Sequence, residues 1–214
     1  MTTFIGFSGL AGSGKDTAAD IICRHDSSCK KVAFGDAVKD VASVVFGWRR
    51  DLLQGDTEES RSFREEPDDF WSKALEKRFT PRYALQLIGT DCFRKIFGEK
   101  IWTNSLLYRL KNTSEPYGTY LIPDVRFPNE IDVIHRLGGK VYRIKRGTLP
   151  DWYIEAESYN KALLKEPELE LPETLRNIHA SERSLAGLNL EDSTLYNNGT
   201  LEDFEKTVLE HVER

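Results

Sequence analysis

Apolar residues recur along this chain in two alternating patterns, short continuous runs and stretches with helical spacing. Five segments have the length and composition of strands, namely Phe4–Phe7, Lys31–Phe34, Tyr120–Asp124, Val141–Ile144 and Ser193–Tyr196. Segments with apolar residues three or four positions apart separate most of them. Strands that alternate with helices are typical of a parallel sheet with crossover helices, so we expect an α/β fold.

Two of the helical segments have well-marked ends. The spacing of Val38, Val41 and Val45 predicts one face of a helix that ends at Gly47. A capping box at Thr200-x-x-Asp203 predicts the start of the last helix. The residues that this last helix is expected to bury are Leu201, Phe204 and Val208.

Two long polar segments interrupt the pattern. Residues 48–80 carry mixed charge, and residues 147–180 are rich in glutamate and proline. Both are long for a connection inside a compact domain. We expect a single domain over residues 1–214, with 48–80 as an arm that contacts a substrate and 147–180 as a lid that excludes water.

The stretch Gly9–Thr17 lies between the first predicted strand and the first predicted helix. Its three glycines allow a tight turn in which backbone N–H groups at a helix N-terminus converge on a phosphate. Lys15 is placed to reach the outer phosphates of a nucleotide. The usual pattern has a magnesium-binding hydroxyl directly after this lysine, whereas here Asp16 comes first and Thr17 follows.

Charged residues also follow the later strands. Asp124-Val125-Arg126 ends the third and Lys145-Arg146 the fourth, and ligands bind at the carboxyl ends of the strands in open parallel sheets. Asp124 is similar to the acidic residue that supports magnesium in phosphate-loop enzymes. Phosphoryl transfer needs position and positive charge rather than a covalent nucleophile, and this is the pattern that the chain supplies.

Polar residues of the helical segments are weaker candidates, because surface, capping or ion-pairing roles explain each of them equally well. Lys39 lies in the first turns of a predicted helix, close to a strand end. Arg64 is one helical turn from Arg61 and could share a phosphate with it. Gln86 could read a base edge, and Arg94 could bind a phosphate.

Composition narrows the functional classes. The 214 residues are 39% hydrophobic, which is enough for one sizeable core, and the net charge of −5 argues against nucleic-acid binding. The three cysteines form no C-x-x-C pair, as is typical of a reducing compartment. No apolar run approaches about 18 residues. We expect a cytoplasmic protein that binds no DNA, RNA or membrane.

Six motifs, spread from the first helix to the last, share one resemblance. They are Gly14-Lys15-Asp16-Thr17, Leu85-Gln86-x-x-Gly89-Thr90-Asp91-x-x-Arg94, Asp124-Val125-Arg126-Phe127-Pro128-Asn129-Glu130, Gly138-Gly139-x-Val141, His179-x-Ser181-Glu182 and Asn198-Gly199-Thr200-Leu201-Glu202. Together they resemble the bacteriophage deoxynucleoside monophosphate kinases. The first and third motifs are the most specific.

The resemblance implies a three-layer P-loop NTPase fold, with a five-stranded parallel sheet flanked by helices, a monophosphate-binding arm and a lid. It also implies a homodimer. The implied reaction transfers the γ-phosphoryl group of ATP, with Mg²⁺, to a deoxynucleoside monophosphate, giving ADP and the deoxynucleoside diphosphate for DNA precursor synthesis. A phage-encoded enzyme of this kind would act in the host cytoplasm.

On this basis we expect three groups of site residues. The catalytic group is Lys15, Asp16, Arg126 and Arg146, of which the two arginines would neutralise charge that develops in transfer. The ATP-binding group is Ala11, Gly12, Ser13, Gly14, Lys15, Asp16, Thr17 and Arg143. The group that binds the deoxynucleoside monophosphate is Lys39, Arg64, Gln86, Thr90, Arg94, Asp124 and Trp152. Thr17 and Asp16 are the expected metal ligands.

Two other readings fit the residues. A small-metabolite kinase such as dephospho-coenzyme A kinase has the same phosphate loop, sheet and lid with a different acceptor. A regulatory module could hold ATP without turning it over. Such a module would not need Arg126 and Arg146 at the γ-phosphate.

Overall fold

The computed structural model describes residues 2–114 and 117–212. The chain divides into two compact units, one formed by the residues up to Ala33 together with those from Thr113 onwards, the other by Phe34–Asn112. The single domain expected from the sequence stays a prediction. The α/β architecture is confirmed in the first unit.

Within the described ranges, the first unit contains one sheet of five strands. The strands are β1 Thr3–Ser8, β2 Cys29–Lys31, β3 Thr119–Val125, β4 Lys140–Lys145 and β5 Ser193–Tyr196. Their order across the sheet is β2-β3-β1-β4-β5, and every pairing is parallel. The central strand β1 therefore ends beside β3 and β4, so the carboxyl ends of all three meet at one edge of the sheet.

The helices alternate with these strands, as predicted. In chain order they are α1 Lys15–His25, α2 Asp36–Phe46, α3 Glu58–Glu65, α4 Asp69–Ala74, α5 Pro81–Gln86, α6 Phe93–Phe97, α7 Ile101–Lys111, α8 Pro128–Arg136, α9 Trp152–Leu163, α10 Ala180–Arg183 and α11 Leu201–His211. A π-helical turn, Leu87–Cys92, joins α5 to α6, and a 3₁₀ turn spans Glu173–Leu175. No helix in the described part of the chain is long and apolar enough to cross a membrane.

The sheet is the middle of three layers. Alternate residues of a strand point to opposite faces, and Ile5 and Phe7 of β1 are buried in a core that includes Ile22 of α1 and Phe204 of α11. Helix α8 packs on β1 and β4 from the other side, where its Ile134 approaches Gly6. The predicted sheet flanked by helices is therefore confirmed.

Strand β2 lies earlier in the chain than the sequence indicated. The prediction placed it at Lys31–Phe34, whereas the strand is Cys29–Lys31 and only the backbone N–H of Val32 continues the ladder, donating to Leu121 O at 3.0 Å. The run of apolar residues predicted the wrong bounds because β2 is an edge strand. Edge strands tolerate exposed lysines, and Lys30 and Lys31 are exposed here.

One predicted buried position is wrong, since Leu201 of α11 is exposed, with 58% of its surface accessible. Val45, on the predicted face of α2, is also exposed, at 57%. Both lie in the terminal turn of a helix. The residues that the structure buries are Val38 and Ala42 in α2, and Phe204 and Val208 in α11.

The second unit is helical and has an aromatic core. Its segment 48–80, predicted only as a charged arm, contains the helices α3 and α4. The ring of Phe46 lies 4.6 Å from that of Trp48 and 5.0 Å from that of Trp71, measured between centroids. Asp68 caps α4 and accepts a hydrogen bond from Trp48 Nε1 at 2.8 Å. Charged residues thus serve as helix caps around a buried aromatic cluster.

The segment 147–180 has an apolar core of its own. Tyr153 and Ala156 of α9 pack with Leu175 and Ala186, and Leu10 of the Gly9–Thr17 loop joins this cluster. The sequence prediction missed α9, because its apolar residues are interspersed with glutamates. The expected function of this segment as a lid stays a prediction.

Candidate active site

The loop Gly9–Thr17 connects β1 to α1 in a backbone conformation that excludes side chains at two points. Gly9 has φ +141°, and a Cβ there would lie 2.4 Å from the carbonyl oxygen of Ile144. Gly14, the N-cap of α1, has φ +107°, and its Cβ would lie 2.5 Å from Asn197 Nδ2. Only glycine fits these angles without strain. The loop is therefore fixed against the ends of β4 and β5.

Asn197 secures the loop from the end of β5. Its Nδ2 donates to Ser13 O at 2.8 Å, and its backbone N–H donates to Lys145 O at 2.8 Å. Asn197 is buried. The sequence indicated only a turn at this position. The side-chain amide also holds the peptide that precedes the first turn of α1, so its function is to shape the loop.

Lys15 lies folded back into the loop. Its Nζ donates to the carbonyl oxygens of Gly9 and Leu10, each at 2.8 Å. Burial lowers the pKa of Lys15 from 10.5 to about 8, and the charge of Arg126 is the second cause. The charges of Glu182, Asp16 and Asp124 act in the opposite direction. Lys15 is therefore a desolvated cation with carbonyl partners that phosphate oxygens could replace.

Arg126 follows β3 at the same edge of the sheet. Its backbone N–H and that of Phe127 donate to Oε2 of the buried Glu130, at 2.7 and 3.1 Å, which fixes the turn into α8. Its Nη1 donates to Glu182 Oε1 at 2.8 Å and to Ser181 Oγ at 3.3 Å. The backbone of Arg126 is thus anchored, and its guanidinium reaches α10.

Arg143 of β4 forms a different kind of pair. Its Nε and Nη2 donate to the two oxygens of Glu191, at 3.0 and 2.8 Å, and Nη2 also donates to Leu185 O at 3.0 Å. Glu191 Oε1 accepts from Ser8 Oγ at 2.6 Å. The predicted ATP-binding residue Arg143 therefore directs its guanidinium to acceptors of the protein and ties β4 to β1.

A cavity of about 820 Å³ opens above these residues. Its wall includes Gly9–Ser13, Arg126, the segment 143–153, Ser181 and Glu182. The predicted residues Arg146 and Trp152 line it as well, and Arg146 is exposed. The structure thus places the loop, the strand-end cations and the base of the predicted lid around one cavity, which is of the size of a nucleotide site.

The residues present fit a magnesium ion that is bound together with phosphates. Among the described residues, no cluster of three or more His, Cys, Asp and Glu could hold a metal by itself. Magnesium is usually held by one or two protein oxygens plus substrate phosphates, and Asp16 and Thr17 in the first turn of α1 offer such oxygens. The hydroxyl of Ser13 is buried without a partner in the described part of the chain, as in a loop shaped for a polar ligand.

The predicted acceptor residues of the second unit lie in three places. Lys39 Nζ donates to Gln54 Oε1 at 3.1 Å, and Arg64 Nη1 donates to Gln54 O at 3.4 Å, so these two cations meet at one residue. Gln86 ends α5 and Thr90 lies in the π-helical turn. Arg94 of α6 is buried and donates to Glu99 O at 3.0 Å. Asp124, in the first unit, is half-buried in β3.

Three residues of the first unit were given no site role from the sequence. Glu182 was part of a recognised motif, and its position three residues after His179 was the available signal. Asn197 was hidden in a turn pattern. Glu191 had no local signal, because its partner Arg143 is 48 positions away. Long-range pairs of this kind become visible only in three dimensions.

Comparison with known proteins identifies related kinases. No family model matches the chain. A protein of Acanthamoeba polyphaga mimivirus named as a deoxynucleotide monophosphate kinase is 30% identical over 218 residues, covering 98% of this chain and 95% of the relative. The deoxynucleoside-5'-monophosphate kinase of Escherichia phage T5 is 27% identical over 182 residues, 63% of this chain and 72% of the relative.

Among solved structures, a dephospho-CoA kinase from Campylobacter jejuni matches 98% of this chain and 95% of its own, with 15% identity and a TM-score of 0.43. The near full-length match to the mimivirus protein decides the family. It agrees with the resemblance found in the sequence motifs. The chain belongs to the viral and phage deoxynucleoside monophosphate kinase family and is a phosphotransferase.

Proposed function

We propose that this protein transfers the γ-phosphoryl group of ATP to a deoxynucleoside monophosphate, giving ADP and a deoxynucleoside diphosphate. The observation that carries the proposal is that Gly9–Ser13 of the loop before Lys15 and the guanidinium-bearing Arg126 line one cavity. Two cations beside a phosphate loop match the charge that spreads over a transferring phosphoryl group.

On the donor side, Ala11–Thr17 would bind the ATP phosphates through backbone N–H groups and Lys15. Arg126 and Arg146 would stabilise charge during transfer. Asp16 and Thr17 would hold the magnesium ion, which neutralises part of the phosphate charge when it is bound. Because Arg143 is engaged by Glu191, we propose that it supports the wall of the ATP site.

On the acceptor side, we propose that Asp124 and Trp152 of the first unit contact the monophosphate. The residues of the second unit that we assign to the acceptor are Lys39, Arg64, Gln86, Thr90 and Arg94. Their support is the motif resemblance together with the clustering of Lys39 and Arg64 at Gln54. The arm, the lid, the dimer and a location in the host cytoplasm belong to the same proposal.

The test is ADP release from ATP and Mg²⁺ with each deoxynucleoside monophosphate, each ribonucleoside monophosphate and dephospho-coenzyme A. We expect turnover with deoxynucleotides that is lost in Lys15→Ala, by about 10³-fold or more, because the phosphate-loop lysine stabilises the transferring group. A surface variant, Lys206→Ala, serves as the control, since Lys206 is exposed and its ion pair with Glu210 is long, at 3.9 Å.

The acceptor panel separates the alternatives. Turnover restricted to dephospho-coenzyme A would replace the proposed acceptor and keep the kinase. Binding of ATP without turnover on any acceptor would contradict the proposal and favour a regulatory module.

A further inference from the structure

Arg126 is held in the cavity through one nitrogen only. Nη1 donates to Glu182 Oε1 at 2.8 Å and to Ser181 Oγ at 3.3 Å. Within the described ranges, no protein acceptor lies in hydrogen-bond range of its Nε and Nη2. An arginine carries N–H donors on all three nitrogens. The contact with α10 therefore fixes the guanidinium and leaves its other donors for a ligand.

Ser181 is itself oriented by His179. The Nδ1 atom of His179, the N-cap of α10, accepts the backbone N–H of Ser181 at 3.2 Å and lies 2.9 Å from Ser181 Oγ. A ring nitrogen that accepts from a backbone N–H carries no proton, so the serine hydroxyl donates to it. The lone pairs of that hydroxyl then remain for Arg126. The two acceptors on α10 are thus both arranged for one guanidinium nitrogen.

Glu182 also places an anion beside Arg126 at the wall of the cavity. Both residues line the cavity, and Glu182 Oε1 lies 2.8 Å from Arg126 Nη1. An anion beside a cation in a partly desolvated cavity stabilises the charged guanidinium there. Glu182 is therefore placed to keep Arg126 at the cavity before a polyphosphate arrives.

We propose that Glu182, together with Ser181, is a positioning residue that holds the guanidinium of Arg126 at the cavity wall, across from the phosphate loop, before the substrates bind. This inference rests on the proposed function as a phosphoryl transferase. A guanidinium that is already in place needs no reorganisation when charge develops on the transferring group, and such preorganisation contributes directly to rate. Glu182 acts through Arg126 and contacts no reacting atom.

The first test compares three variants in the kinase assay. Glu182→Ala should lower kcat by about 100-fold with little change in KM, which is the usual cost of misplacing a catalytic group by about 1 Å. Glu182→Gln should lower it by about tenfold, because a neutral acceptor makes roughly half as strong a hydrogen bond. The matched control is Asp132→Asn, which breaks an exposed Arg136 pair that has the same 2.8 Å distance.

A double variant shows whether Glu182 acts through Arg126. If it does, adding Glu182→Ala to Arg126→Ala has no further effect on kcat, because the contact is already lost. Effects that multiply would overturn the proposal, since Glu182 would then act on the substrate or on Lys15 directly. Wild-type kcat in Glu182→Ala would overturn it as well.

A second readout needs no substrate. The arginine reagent phenylglyoxal should modify Arg126 several-fold faster in Glu182→Ala than in the wild type, as mapped by peptide mass spectrometry, while modification of Arg136 stays the same. An unchanged rate at Arg126 would overturn the proposal. Absence of turnover on every acceptor would instead contradict the proposed function, so the two failures are distinguishable.

Discussion

Arg126, which follows β3, and Arg143, within β4, each pair with a glutamate far along the chain, and both pairs have an N–O distance of 2.8 Å. Their surroundings differ. The side chains of Arg143 and Glu191 are 8% and 3% exposed, whereas those of Arg126 and Glu182 are 35% and 18% exposed. The β4 pair uses two nitrogens and both carboxylate oxygens, and the β3 pair uses one nitrogen.

The difference shows which of the two arginines keeps hydrogen-bond donors that a substrate could use. A fully desolvated ion pair is tolerated only when nearly all its donors and acceptors are satisfied, so Arg143 is committed to the protein. A partly exposed pair is weaker and leaves donors for a ligand. Burial, rather than distance or strand position, separates the structural arginine from the catalytic candidate.

The largest expected effect on stability comes from Glu191→Ala. It leaves the buried charge of Arg143 without its partner, so the free energy of unfolding should fall by about 3 to 5 kcal/mol. Urea denaturation followed by circular dichroism measures this change. The matched variant is Glu182→Ala, which should cost at most about 1 kcal/mol because its pair is partly solvated.

Equal stabilities of Glu191→Ala and Glu182→Ala would contradict the proposed difference between the two ion pairs. This difference is sharpened by the double variant Arg143→Met with Glu191→Leu, which removes both buried charges and keeps apolar volume. Replacement of a whole buried pair by apolar residues is often nearly neutral. The double variant should therefore recover most of the stability that Glu191→Ala loses.

The sequence predicted the parts of the fold that depend on local patterns. Thr200 and Asp203 form the expected capping box, and β5 is Ser193–Tyr196 as predicted. The capping box succeeded because its two residues lie three positions apart, and β5 was recognised although it is an edge strand in which only Leu195 is buried. The prediction failed for β2, where an edge strand needs no apolar run. It also failed for α3 and α4, whose inward aromatic residues Phe63 and Trp71 are only partly buried and lie among charges.

The site was predictable to a similar degree. The loop around Lys15 and the cation Arg126 follow from spacing and strand ends, and the structure places both at one cavity. The pairing of Arg143 with Glu191 and of Arg126 with Glu182 was not predictable, because their partners are 48 and 56 positions away. The sequence identified Arg126 by its place after a strand, and it assigned Arg143 to ATP binding, whereas the burial that separates these two arginines is visible only in three dimensions.

The next largest effect concerns pH. The pKa of Lys15 is lowered to about 8 by burial and secondly by the charge of Arg126. In the unfolded chain this lysine keeps its proton up to its ordinary pKa of 10.5. Between these values the unfolded state binds more protons, so Lys15 should make the free energy of unfolding rise with pH, by about 3 kcal/mol in total.

Lys15→Met provides the reference for this effect. Subtracting its pH profile of stability from that of the wild type removes every other titrating group. The difference should be flat below about pH 8 and should rise above it. In Arg126→Ala the rise should begin at a higher pH, because a repelling charge has gone. A rise that begins at the same pH would show that Arg126 is not beside Lys15 in solution.

The smallest effect tests what holds Arg143. Tyr153 OH lies 3.4 Å from Arg143 Nη1 and accepts from Gly187 N at the same distance. Both contacts are long, so their hydrogen bonds are weak. Tyr153→Phe keeps the packed ring and should lower the free energy of unfolding by about 1 kcal/mol, measured by urea denaturation. A loss as large as that of Glu191→Ala would mean that the tyrosine, and with it the base of the 147–180 segment, is the principal partner of Arg143. A small loss would leave Glu191 as the residue that makes Arg143 structural.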